Sequence, residues 1–138
     1  MQHDTDMRPA STQMEFNGRT YDVVFNISAI DSVCEHFDCS ANEIIGLFYD
    51  TADKDFRKNA IAVIVILINE AIDIHNDDFP DDQWKPVTEK QMKRNLNHAL
   101  FTDLYDALVR CYISGFVRKK AEDADDIGED PNPEGGAV

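Results

Sequence analysis

Residues 55–75, DFRKNAIAVIVILINEAIDIH, contain neither glycine nor proline, and their middle is an unbroken aliphatic run from Ala60 to Ile68. The β-branched residues of that run have the composition of a buried strand. The flanks point the other way. Phe56, Ala60, Val63, Leu67, Ala71 and Ile74 recur at steps of three and four, the spacing of one helix face. The spacing and the length predict a helix. Because its middle is apolar on every side, it must be enclosed by other elements. The remaining chain therefore has to supply a shell around one central helix.

Residues 14–26, MEFNGRTYDVVFN, provide one part of that shell. Met14 and Phe16 alternate with polar residues before Asn17-Gly18, and Tyr21, Val23 and Phe25 alternate after it. Asn-Gly between alternating apolar residues predicts a two-residue β-hairpin, because both turn positions require positive φ. An isolated hairpin is marginal in water, so its apolar face is expected to rest on helices. Ser28 ahead of Asp31 and Ser40 ahead of Glu43 have the spacing of capping boxes and predict two short helices broken at Phe37–Ser40. Residues 76–86, NDDFPDDQWKP, read as an acidic, proline-containing loop. Thr88 with Gln91 then caps a short helix, and a long last helix is expected over His98–Lys120.

On that last helix Leu100, Phe101, Leu104, Tyr105, Leu108, Val109, Tyr112, Ile113 and Phe116 cover an arc of about 200°, roughly twice the width of one core-facing stripe. The surplus, Val109, Ile113 and Val117, either packs against the hairpin or faces a partner. Taken together the pattern predicts a mainly α fold: a compact domain of about five helices with a short N-terminal β-hairpin. The expected boundaries are a flexible N-terminus over 1–13, a single helical domain over 14–120 and a disordered acidic tail over 121–138. That tail, AEDADDIGEDPNPEGGAV, holds seven acids and no base, half of the net charge of −14.

Several classes of function fit poorly. A net charge of −14 argues against binding nucleic acid or an anionic membrane. The aliphatic run is interrupted at Asn69 and Glu70, short of a bilayer span. Residues 1–13 lack a secretory apolar core, and three cysteines without a CxxC pair suit a reducing cytosol. No phosphate-binding glycine loop and no nucleophile elbow occurs. Cys34, His36 and Cys39 fall short of a four-ligand zinc set, and Cys34 and His36 would point apart on a helix. His75 with Asp77 and Asp78 sits where a helix dipole alone favours a histidine. Acids 77–82 lie in a loop where water keeps them ionised, and Cys111 falls on the apolar arc. No catalytic residue, metal or cofactor is expected, and the chain is not expected to be an enzyme.

The order of elements carries a resemblance. Phe16-Asn17-Gly18-Arg19-Thr20-Tyr21 opens the domain, a short helix and a very apolar one follow, and Val87-Thr88-Glu89 leads into the closing helices. This resembles the small tail assembly chaperones of long-tailed bacteriophages over residues 14–118, with an isoleucine-rich central helix and a longer acidic loop as departures. The resemblance implies a protein of the bacterial host cytoplasm, absent from the mature virion, that binds the tape measure protein and helps recruit tail tube subunits around it. Val109, Ile113 and Val117 are then candidates for binding partner helices or for self-association. The alternatives are a non-enzymatic acidic structural protein, such as a head–tail connector component, and a DNA-mimicking inhibitor.

Overall fold

The structure, a computed structural model, describes residues 11–117. The chain runs through β1 (Thr12–Phe16), β2 (Arg19–Val23), α1 (Ile27–Phe37), a 3-10 helix (Ala41–Leu47), α2 (Phe56–Asp78), α3 (Glu89–Asn95) and α4 (His98–Phe116). The fold is mainly α with an N-terminal two-stranded antiparallel hairpin. The expected disordered tail over 121–138 lies outside the described residues, as does most of the expected flexible N-terminus. Within the latter, Thr12 and Gln13 already belong to β1.

α2 is the central helix. It touches β2, α1, the 3-10 helix, α3 and α4. Residues Ala60 to Val65 are buried without a break, which is possible only when neighbours cover every side. That enclosure is why β-branched residues tolerate a helix here: packing outweighs their modest helix propensity penalty. The expectation that no apolar segment is long enough to span a bilayer counted only the uninterrupted run. As a whole helix, Phe56–Asp78 is long and apolar enough by length and composition, yet 56% of its most apolar window is buried against the protein's own elements.

The hairpin forms in the expected register, with Met14 opposite Tyr21 and Thr12 opposite Val23. Asn17 and Gly18 both have positive φ, 55° and 83°, which lets the tight turn follow the twist of the strands. Met14, Phe16, Tyr21 and Val23 are all buried on the face turned to the helices.

The first helix departs from expectation at its start. Asn26, not Ser28, is the N-cap, and its side-chain oxygen accepts from the Ala29 N–H at 2.8 Å. Ser28 instead donates to Glu70 Oε1 at 3.0 Å, while Asn26 Nδ2 donates to Glu70 Oε2 at 3.2 Å. One carboxylate on α2 thus holds the N-terminus of α1, where its charge also suits the helix dipole. The helix ends at Asp38, in the left-handed region at φ 52°. Ser40 and Glu43 do form a capping box, but the segment they open is a 3-10 helix.

The acidic loop is shorter than expected, because α2 continues to Asp78. Its return segment is pinned to α2 by two asparagines. Asn69 accepts from the Val87 N–H at 2.8 Å and donates to the Val87 carbonyl at 2.9 Å. Asn76 does the same for Trp84, at 2.8 Å and 3.0 Å. Seven residues of helix rise about 10.5 Å, and three residues of extended chain cover about 10 Å. The two amides therefore match the segment in spacing as well as in hydrogen bonding. Trp84 stacks on His75 with centroids 3.5 Å apart and meets the edge of Tyr21, so the strap also seals the hairpin against α2.

Candidate partner-binding surface

The arc of α4 divides into two stripes. Leu104 and Ala107 line one crevice with Met14 and Phe16, and Cys111 is buried on the same side of α4. This stripe is the one that packs beneath the hairpin. Burial pushes the Cys111 thiol pKa up to about 11, so it stays protonated and unreactive.

The position of the other stripe is set by Gly115 and Phe25. A Cβ added at Gly115 would sit 2.6 Å from the Phe25 Cβ and 2.8 Å from its carbonyl oxygen. Only glycine permits that approach. Tyr112 and Phe116 close over it: Phe25 meets them edge-on at 6.2 Å and 5.1 Å, and they stack on each other at 4.4 Å. Phe48 meets Tyr112 from another side at 5.9 Å, and its carbonyl accepts the Tyr105 hydroxyl at 2.9 Å. At about 100° per residue, Ile113 and Val117 each lie about 160° from Gly115 and so point away from this contact.

The three candidates from the sequence therefore separate. Val109 is half-buried, while Ile113 and Val117 are 50% and 51% exposed. Neither of the two packs beneath the hairpin. Of four further exposed apolar residues, Leu100 belongs to the expected arc and Phe79 caps the end of α2, while Ile27 and Tyr49 were not anticipated. Each of the latter two follows within two residues of a ring, Phe25 or Phe48, that packs on Tyr112. Their signal in the sequence is weak: a large apolar side chain at the edge of an element, where no periodicity applies.

Gly115→Ala tests the close approach through the sign of its effect. Helix propensity alone would raise stability by up to about 1 kcal/mol. The clash with Phe25 should reverse this and cost about 1–3 kcal/mol in chemical denaturation. An alanine variant more stable than the parent would mean that α4 does not rest on Phe25.

The sequence-level metal candidates do not assemble. Cys34 and Cys39 lie together, and burial followed by the nearby Cys34 raises the Cys39 thiol pKa. His36 turns instead toward Glu89, at 3.9 Å. His75 points its Nε2 at the Asp82 backbone oxygen and carboxylate, at 2.8 Å and 3.2 Å, and acts as a clamp on the loop. Among the described residues no group of three or more His, Cys, Asp and Glu side chains is placed to hold a metal ion. Comparison with protein-family models, with curated proteins and with solved structures yields no match.

Proposed function

We propose that this chain is a phage tail assembly chaperone that binds the tape measure protein and helps recruit tail tube subunits during tail assembly. The observation that carries the reading is the exposed stripe of Ile113 and Val117 on α4, held outward by the Gly115–Phe25 contact. A holdase for amphipathic helices needs apolar surface that its own fold leaves uncovered, and enough like charge to stay dispersed while it is exposed. The net charge of −14 meets the second need. The order of hairpin, short helix, enclosed apolar helix and long closing helix, on which the resemblance rests, is also the order of the folded chain.

Co-expression tests the proposal. The DNA flanking the gene is sequenced first, and absence of a long helical reading frame there overturns the reading at once. The full chain is then produced together with the product of any such frame, and the soluble fraction is fractionated by size. The expected result is a soluble complex that forms only when both are present, with the long protein aggregating alone. If the long protein partitions identically with and without the chain, the chaperone reading fails. Recovery of the chain in purified particles would support a structural virion component instead, and salt-sensitive competition with DNA for a host nuclease would support the DNA-mimic reading.

A further inference from the structure

One region of this acidic molecule is strongly basic. A cavity of about 490 Å³ opens between the start of α2, the end of α3 and the start of α4, lined by Lys54, Arg57, Lys58 and Lys93, with Ile61 and Phe101 also lining it. Residues 11–117 contain nine lysines and arginines, and four of them are gathered here. Among the described residues, none of the four forms an ion pair with an acid. The local electrostatics compound this. Arg57 and Lys58 lie in the first turn of α2, which has no acidic residue and whose N-cap Asp55 makes no side-chain cap hydrogen bond. Cations at a helix N-terminus oppose the dipole, and they also repel one another. The first turn of α4, beginning at His98, is likewise free of acids. Two positive helix ends and four cations thus border one cavity and outweigh the negative end of α3 and the Asp55 carboxylate, an arrangement that an anion would stabilise.

We propose that this groove is the docking site for the acidic segment 125–130 of the chain's own C-terminal region. The segment, DDIGED, sets four carboxylates around one aliphatic side chain: Asp125 and Asp126 precede Ile127, and Glu129 and Asp130 follow it. This is the complement of the groove, where Ile61 and Phe101 form an apolar floor and the cations form the rim. The reach agrees. α4 has 19 residues and is about 28 Å long, so the groove at its start lies about that far from Val117. Ten residues of extended chain, Val117 to Ile127, span at most about 33–36 Å. Ile127 can therefore reach the floor, which would bring the four acids of 125–130 to the cluster of Lys54, Arg57, Lys58 and Lys93.

The test uses amide NMR shifts of the full chain at low ionic strength. In one variant Asp125, Asp126 and Asp130 are changed to asparagine and Glu129 to glutamine, with the dispersion of the amide shifts of residues 11–117 checking that the domain remains folded. The expected result is shift changes at Arg57, Lys58, Lys93 and His98, independent of protein concentration, that disappear in about 1 M salt, where the screening length falls to about 3 Å. The reciprocal variant, Lys54→Ala with Lys93→Ala, should move the amides of residues 125–130. Shift changes confined to residues beyond Val117 would overturn the proposal. So would groove shifts that grow with protein concentration, since they would assign the contact to a second copy.

Discussion

Asn69→Ala should destabilise the domain by about 2–4 kcal/mol, because it strips both hydrogen-bond partners from one backbone unit that stays buried. The Asn69 amide is the partner of the Val87 N–H and of its carbonyl, and Val87 is only 8% exposed. A methyl group satisfies neither, and water has little access. The net value of two ordinary hydrogen bonds would be only about 1–3 kcal/mol; the larger figure reflects the cost of leaving the donor and acceptor desolvated. For a domain of this size the melting temperature should fall by roughly 10–20 °C. Asn69→Asp is the informative companion. It keeps an acceptor for the Val87 N–H but sets a carboxylate oxygen against the Val87 carbonyl, so it should be no milder than alanine near neutral pH and should recover as acid protonates it. Thermal and urea unfolding of both variants would decide the matter. A loss below about 1 kcal/mol for alanine, typical of an exposed site, would mean that the strap is not held through Asn69.

The second large effect concerns binding and should exceed the accompanying change in stability. If the chain acts as proposed, Ile113→Asp with Val117→Asp is expected to weaken its association with a tape measure protein by about 100-fold. Burying the exposed half of each side chain against a partner is worth about 0.7–1.5 kcal/mol, and a carboxylate forced into an apolar contact adds a desolvation penalty. In the free chain both positions are about half exposed, at 50% and 51%, but two carboxylates at i, i+4 in the C-terminal end of α4 oppose its dipole and repel each other, so unfolding should shift by about 1–2 kcal/mol. Titration of labelled partner together with a denaturation curve separates the two quantities. Unchanged binding would remove this stripe from the proposed interface. A much larger loss of stability would show instead that the two side chains are packed within the fold.

How legible these features are in the sequence depends on how local their physics is. The Asn17-Gly18 turn, the Thr88–Gln91 cap and the Ser40–Glu43 box are set by residues within four positions of one another, and all three form. The central helix is also legible, since its spacing persists over the whole of 55–75. The start of α1 is not. Asn26 and Ser28 are comparable caps, and the choice falls to Asn26 while Glu70, 42 residues away from Ser28, engages the serine. The direction of the surplus stripe on α4 is likewise hidden. Hydrophobic periodicity finds the width of the arc, but which part meets the core rests on the approach of Gly115 to Phe25. The basic groove leaves two short traces, DKDFRK and KQMKR, that become one site only when α2 and α3 are brought together.

The paired asparagines of α2 act as a ruler on the length of the chain. Their separation, seven residues of helix, and the separation of their targets, three residues of extended strand, are tied to each other by geometry. One residue inserted between Asn69 and Asn76 would swing the second amide about 100° around the helix and take it off the strap. One inserted between Trp84 and Val87 would turn the wrong backbone face toward it. Residues 79–81 are held more loosely, because the next anchors back to α2 are Asp82, clamped by His75, and Gln83, which donates to the Asn76 carbonyl. Changes of length in this part of the molecule are therefore channelled into residues 79–81, ahead of the Asp82 and Gln83 anchors. The acidic loop can lengthen there without disturbing either the hairpin it seals or the helix it crosses.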